Sequence, residues 1–119
     1  MSTIAELVIY GEPCSKANSR RLVTNKQGRP MFIKSAKALN YVKSFTEQCK
    51  KLPELVTEDV AVTMTIFYAS RRPDLDESLI LDCMQGLLYK NDRQVKEKHI
   101  IWGGVDKDNP RAEISVRYL

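Results

Sequence analysis

Val60-Ala61-Val62-Thr63-Met64-Thr65-Ile66-Phe67-Tyr68 alternates with a period of two. Val60, Val62, Met64, Ile66 and Tyr68 share one face, and Ala61, Thr63, Thr65 and Phe67 the other. Both faces are apolar enough for a strand in the middle of a sheet. Such a strand needs cover, and the flanking segments supply it. Upstream, Ser35 can cap a helix that begins at Ala36, on which Ala38, Tyr41, Val42, Phe45, Cys49 and Leu52 fall within about a 100° arc opposite Lys37, Lys43, Lys50 and Lys51. Pro53 stops that helix. Downstream, the strand breaks at Ser70-Arg71-Arg72-Pro73. Asp74, followed three residues on by Glu77, announces a second helix over about Glu77 to Tyr89, with Leu79, Ile80, Cys83, Leu87 and Leu88 as its apolar residues.

The ends of the chain read as further strands. Ile4 to Tyr10 is rich in β-formers and stops at Gly11 and Pro13, while Val95 to Trp102 and Ala112 to Tyr118 close the chain, joined across Gly103-Gly104 and the polar segment from Asp106 to Pro110. Between the first strand and the first helix, Asn25-Lys26-Gln27-Gly28 separates Arg21-Leu22-Val23-Thr24 from Pro30-Met31-Phe32-Ile33, as a hairpin or a mobile loop would. The expected fold is α/β of the α+β type, a single mixed sheet of about four strands with two helices packed against it. With 119 residues it is one domain, 1–119.

Composition narrows the classes. Hydrophobic residues are 43% and charged residues 29%, which excludes disordered and fibrous chains. Apolar runs fall far short of the roughly 20 residues of a membrane-spanning helix. Glu6 and Glu12 stand where a signal peptide would be basic and then apolar, so a cytoplasmic location is expected. Cys14, Cys49 and Cys83 are too widely spaced for a C-x-x-C zinc site and odd in number, so they are expected to be reduced, and buried or inert. The net charge of +4 conceals an uneven distribution. From Pro13 to Lys51 ten basic residues stand against the single acid Glu47, and the remainder is acidic. A surface for a polyanion such as nucleic acid fits this pattern, the alternative being a solvated lysine-rich helix face beside a basic loop.

The acids gather elsewhere. Asp74 and Asp76 are one residue apart at a strand-to-helix junction, where extended backbone can turn both carboxylates to one side. Hard oxygen donors so placed suit Mg²⁺, which takes one or two carboxylates together with waters and phosphate oxygens. Asp92 joins them only if the chain folds back after a helix of that length. The competing reading makes Asp74 an N-cap, Asp76 and Glu77 first-turn acids, and Asp92 a turn residue. Asp82 reads as a helix residue with a solvated or hydrogen-bonded carboxylate, His99 has no partner in local sequence, and Trp102 belongs to the core or a dimer interface.

Arg71-Arg72-Pro73-Asp74-Leu75-Asp76, the Gly86-Leu87-Leu88-Tyr89 segment, Asn91-Asp92-Arg93-Gln94-Val95 and the early Pro13-x-Ser15-x-x-Asn18 together resemble the RusA-type Holliday-junction resolvases. The resemblance spans nearly the whole chain. It implies a homodimeric, Mg²⁺-dependent endonuclease, with Mn²⁺ as substitute, that nicks four-way DNA junctions symmetrically in recombination and repair. It further implies a phage or prophage enzyme acting in a bacterial cell, with Asp74, Asp76 and Asp92 as catalytic metal ligands. A lysine that the family keeps in the helix falls here on Ile80, or on Ser78 when counted back from Asp82 and Gly86. Lys90 is the nearest replacement, with Arg71 and Arg72 the alternatives. The candidate DNA-binding residues are Lys16, Arg20, Arg21, Lys34, Arg71 and Arg72. The rival function is a non-catalytic branched-DNA-binding protein whose acids are only caps and turns.

Overall fold

The computed structural model describes residues 3–15 and 20–119, so Lys16 and Asn18 lie outside the described residues. Six strands and two helices follow in the order β1 (Thr3–Tyr10), β2 (Arg20–Thr24), β3 (Pro30–Lys34), α1 (Ala36–Gln48), β4 (Val60–Tyr68), α2 (Ser78–Met84), β5 (Val95–Val105) and β6 (Arg111–Tyr118). The main sheet is mixed, in the order β1-β6-β4-β5. β6 is antiparallel to both β1 and β4, and β5 runs parallel to β4. Its parallel pair requires a crossover, and α2 lies within it. β2 and β3 form a separate hairpin, which decides between the two readings of that segment.

The central strand behaves as its alternation requires. Val60, Val62, Met64 and Ile66 are fully buried and Tyr68 nearly so, in one core with Ala38, Tyr41 and Phe45 of α1 and Leu79, Ile80 and Met84 of α2. Ser35 caps α1 by accepting the Ala38 N–H at 3.2 Å. The three cysteines are unpaired and buried, with the desolvated Cys83 thiol pushed up to about 12.

Three boundaries differ from the sequence reading. α1 stops at Gln48, before Leu52, whose N–H donates to the Leu87 carbonyl instead. α2 ends at Met84 and not at Tyr89: Gln85 is already extended, Gly86 takes φ +86, and Tyr89 makes bridges to Val56 and Gln85. A positive φ of that size reverses the chain at low cost only for glycine. β5 does not end at Trp102 but continues through Gly103 and Gly104 to Val105. A Cβ on Gly103 would meet Thr65 Cγ2 at 2.7 Å and the Phe67 ring at 2.8 Å, so this glycine makes room for two side chains of β4. Gly103→Val is accordingly expected to lower stability by about 1–3 kcal/mol through overpacking, read as a lower urea midpoint with unchanged m.

Candidate active site

The junction after β4 is organised by one hydroxyl. Tyr68 is nearly fully buried, and its hydroxyl donates to the Asp74 carbonyl at 3.1 Å while accepting the Asp76 N–H at 3.2 Å. The backbone on both sides of Leu75 is thereby fixed. Asp74 is exposed and Asp76 half-buried, the latter accepting the Ser78 N–H on Oδ1 at 2.9 Å. The N-cap position of α2 is Glu77, without a side-chain cap bond, so Asp74 is not the cap of a capping box. Glu77 instead pairs with Lys98 Nζ of β5 at 2.8 Å. Glu12, after β1, accepts the Ala69 N–H on Oε2 at 2.7 Å and ties that segment to the exit of β4. Burial raises the Tyr68 hydroxyl pKa, the Asp76 N–H opposes the rise, and the charges of Asp76, Glu12 and Glu77 add to it.

Asp92 opens a 3-10 turn, Asp92–Gln94, capped by Asn91. Asn91 Oδ1 accepts the Arg93 N–H at 2.9 Å, and Gln94 Oε1 accepts the Asn91 N–H at 2.8 Å. Gln94 also donates to the Val56 and Glu58 carbonyls. The turn is thus built by Asn91 and Gln94, and the Asp92 carboxylate stays exposed. Gln85, just past α2, accepts the Asp92 N–H at 2.8 Å. Asp76 precedes α2 and Asp92 is gripped at its other end. At 1.5 Å per residue its seven residues measure roughly 10 Å, half the span that a 13-residue helix would impose. Asp82 and Asp92 both act on the Tyr89 hydroxyl, where burial is the larger cause of the raised pKa. Among the described residues no three His, Cys, Asp or Glu side chains close into one metal cage.

The basic candidates divide among several places. Arg20 and Lys34 face each other across the hairpin, where Arg21 lies opposite Ile33. Arg71 and Arg72 are exposed on the loop before Asp74. Arg72 shares a small hollow with Glu12 and Lys37. Lys90 is six residues past the helix, not at its terminus, and lines a hollow with Glu54, Glu58 and Tyr118. His99 is on the outer strand β5 with Glu97 at 3.1 Å, and Trp102 stacks on Tyr68 at 5.1 Å. Glu12 and Tyr68 were absent from the candidates, because their contacts span 57 and 6–8 residues and carry no local signature.

A family model described as endodeoxyribonuclease RusA matches residues 11–117. The chain belongs to the RusA endodeoxyribonuclease family. No curated protein matches it in sequence. As a RusA chain it is an endodeoxyribonuclease of the Holliday-junction resolvase class, which sets aside the non-catalytic reading. RusA nucleases are generally dependent on a divalent metal. The residues of the Tyr68-anchored loop fit such an ion in kind, since Asp74, exposed, and Asp76, half-buried, offer the hard carboxylate oxygens that divalent cations take. No helix among the described residues is long and apolar enough to cross a membrane.

Proposed function

We propose that this RusA endodeoxyribonuclease nicks four-way DNA junctions in symmetric pairs as a homodimer, using Mg²⁺ or its substitute Mn²⁺. The observation that carries the reading is the loop from Asp74 to Asp76, held through the Asp74 carbonyl and the Asp76 N–H by the Tyr68 hydroxyl just ahead of α2. Asp74 and Asp76 would hold the metal. Bound there, it would supply Lewis acidity at the phosphate and a water of lowered pKa. Asp76 keeps its orientation through the Ser78 N–H. Asp92, held through its N–H by Gln85 past the far end of α2, would act on the attacking water. Arg71 and Arg72, adjacent to Asp74, hold the flanking backbone, and Lys16, Arg20, Arg21 and Lys34 extend that grip. Lys90 is the sequence-derived candidate for the cation at the reaction centre. A two-fold dimer would offer two such sites to symmetry-related strands.

The test is cleavage of an end-labelled four-way junction, a fork and a flap, each with Mg²⁺ and with chelator. Paired nicks in the junction that require the metal are expected. Uncut DNA with metal present would overturn the reading. Binding should also weaken with salt, and Arg20→Ala, Arg21→Ala, Arg71→Ala and Arg72→Ala should each flatten the log–log slope by about 0.9 for a lost phosphate contact. Slopes identical to that of the unaltered protein would remove these residues from the DNA surface.

A further inference from the structure

A second basic feature is tied to the carboxylates more closely than charge alone would show. Arg20 and Lys34 are directly opposite in the β2–β3 register, with neither ion-paired among the described residues. Like charges opposed on a hairpin are unfavourable unless an anion sits between or beside them. Both side chains line a cavity of about 360 Å³ whose other wall is α2, through Ser78, Leu79 and Asp82. Ser78 is the residue whose N–H holds the Asp76 carboxylate, so this cavity opens beside the carboxylate loop. The Lys34 ammonium also acts on the Cys83 thiol of α2, favouring its ionisation against burial and the Asp82 charge. α2 itself, Ser-Leu-Ile-Leu-Asp-Cys-Met, contains no cation. Lys90 lines a separate hollow together with Glu54 and Glu58.

We propose that Lys34, with Arg20 opposite it, holds the reacting phosphate in the cavity over Ser78 and supplies the positive charge that α2 lacks. The proposal rests on the nuclease reading and refines it. Among the described residues Asp82, on the opposing wall, closes no ion pair with the ammonium. A phosphate between the hairpin and Ser78 meets the cations on one side and the Asp76 loop on the other. Charge that builds on its non-bridging oxygens during hydrolysis is then met by a positioned cation. Lys34 makes no bond in the step, and its effect is electrostatic.

The experiment compares the unaltered protein with Lys34→Ala, Lys34→Arg, Lys90→Ala and Lys51→Ala in single-turnover junction cleavage. Junction affinity is measured in chelator, and urea midpoints establish that each variant folds. Lys34→Ala is expected to cleave roughly a hundredfold more slowly, the effect of losing one aimed charge-stabilising donor. Its affinity should change far less than its rate. Lys34→Arg should recover part of the rate, and Lys51→Ala should match the unaltered protein. A second measurement needs neither metal nor cleavage: titrating inorganic phosphate into metal-free protein should shift the Ser78 amide resonance, and Lys34→Ala should abolish that shift. Cleavage by Lys34→Ala at the unaltered rate, or a loss confined to Lys90→Ala, overturns the proposal and leaves the nuclease reading standing. Failure of the unaltered protein to cut any branched DNA overturns the nuclease reading, and a phosphate shift that ignores Lys34 overturns the cation pair.

Discussion

Asp76→Asn is expected to lower junction cleavage roughly a thousandfold, with Asp74→Asn close behind. Lewis-acid stabilisation is worth several kcal/mol, and about 1.4 kcal/mol is tenfold in rate. The substitution is nearly isosteric, and the carboxamide oxygen it introduces can still accept the Ser78 N–H that Asp76 Oδ1 accepts at 2.9 Å, so the loop should keep its shape. Binding should stay near or above that of the unaltered protein, because a negative charge facing DNA phosphate has been removed. Asp92→Asn should follow the same pattern. Single-turnover cleavage beside a binding titration in chelator checks it. Unchanged nicking by any two of the three would reduce these acids to loop structure.

Tyr68→Phe should produce the next largest loss, about 10- to 100-fold in cleavage, the range for groups that orient metal ligands. The change deletes one oxygen. The ring keeps its burial and its stacking on Trp102, but the Asp74 carbonyl and the Asp76 N–H lose their common partner. A partner-free buried group costs about 1–3 kcal/mol locally, enough to let the loop leave its clamped form. Because Tyr68 acts through the two aspartates, the diagnostic readout is the Mg²⁺ concentration for half-maximal rate, which should rise while junction affinity holds. Equal rate and equal Mg²⁺ dependence would show that the hydroxyl serves only the fold.

How much of this was legible in the sequence depended on how local the cause was. β4 was readable to its ends because its alternation is a property of nine consecutive residues, and the Ser35 cap of α1 because it acts within three. The end of α2 was not. Leu87 and Leu88 continue a helical apolar pattern, yet they belong to the turn after Gly86, where backbone bonds to Leu52 and Val56 take over. Gly103-Gly104 imitates a turn for the same kind of reason, since the need for glycine there is set by Thr65 and Phe67 on a neighbouring strand. Within the site, the Asp74–Asp76 spacing was visible. The clamp by Tyr68 and the tie from Glu12 were not, because both depend on where β4 ends in space.

The strand order has a consequence for how the protein is made. β6 follows β1, β4 and β5 in the chain, yet it occupies an interior position, pairing with β1 on one side and β4 on the other. Until residues 111–118 emerge, β1 has no neighbour in the sheet and β4 has only β5. Glu12, at the end of β1, cannot then be held against the Ala69 N–H at the exit of β4. Sheet closure therefore waits on pairing between distant parts of the chain, a slow class of folding event. The two halves of the carboxylate loop's support therefore meet only once β6 has paired on both sides, so a chain that has folded no further than β5 carries the aspartates without the Glu12 tie.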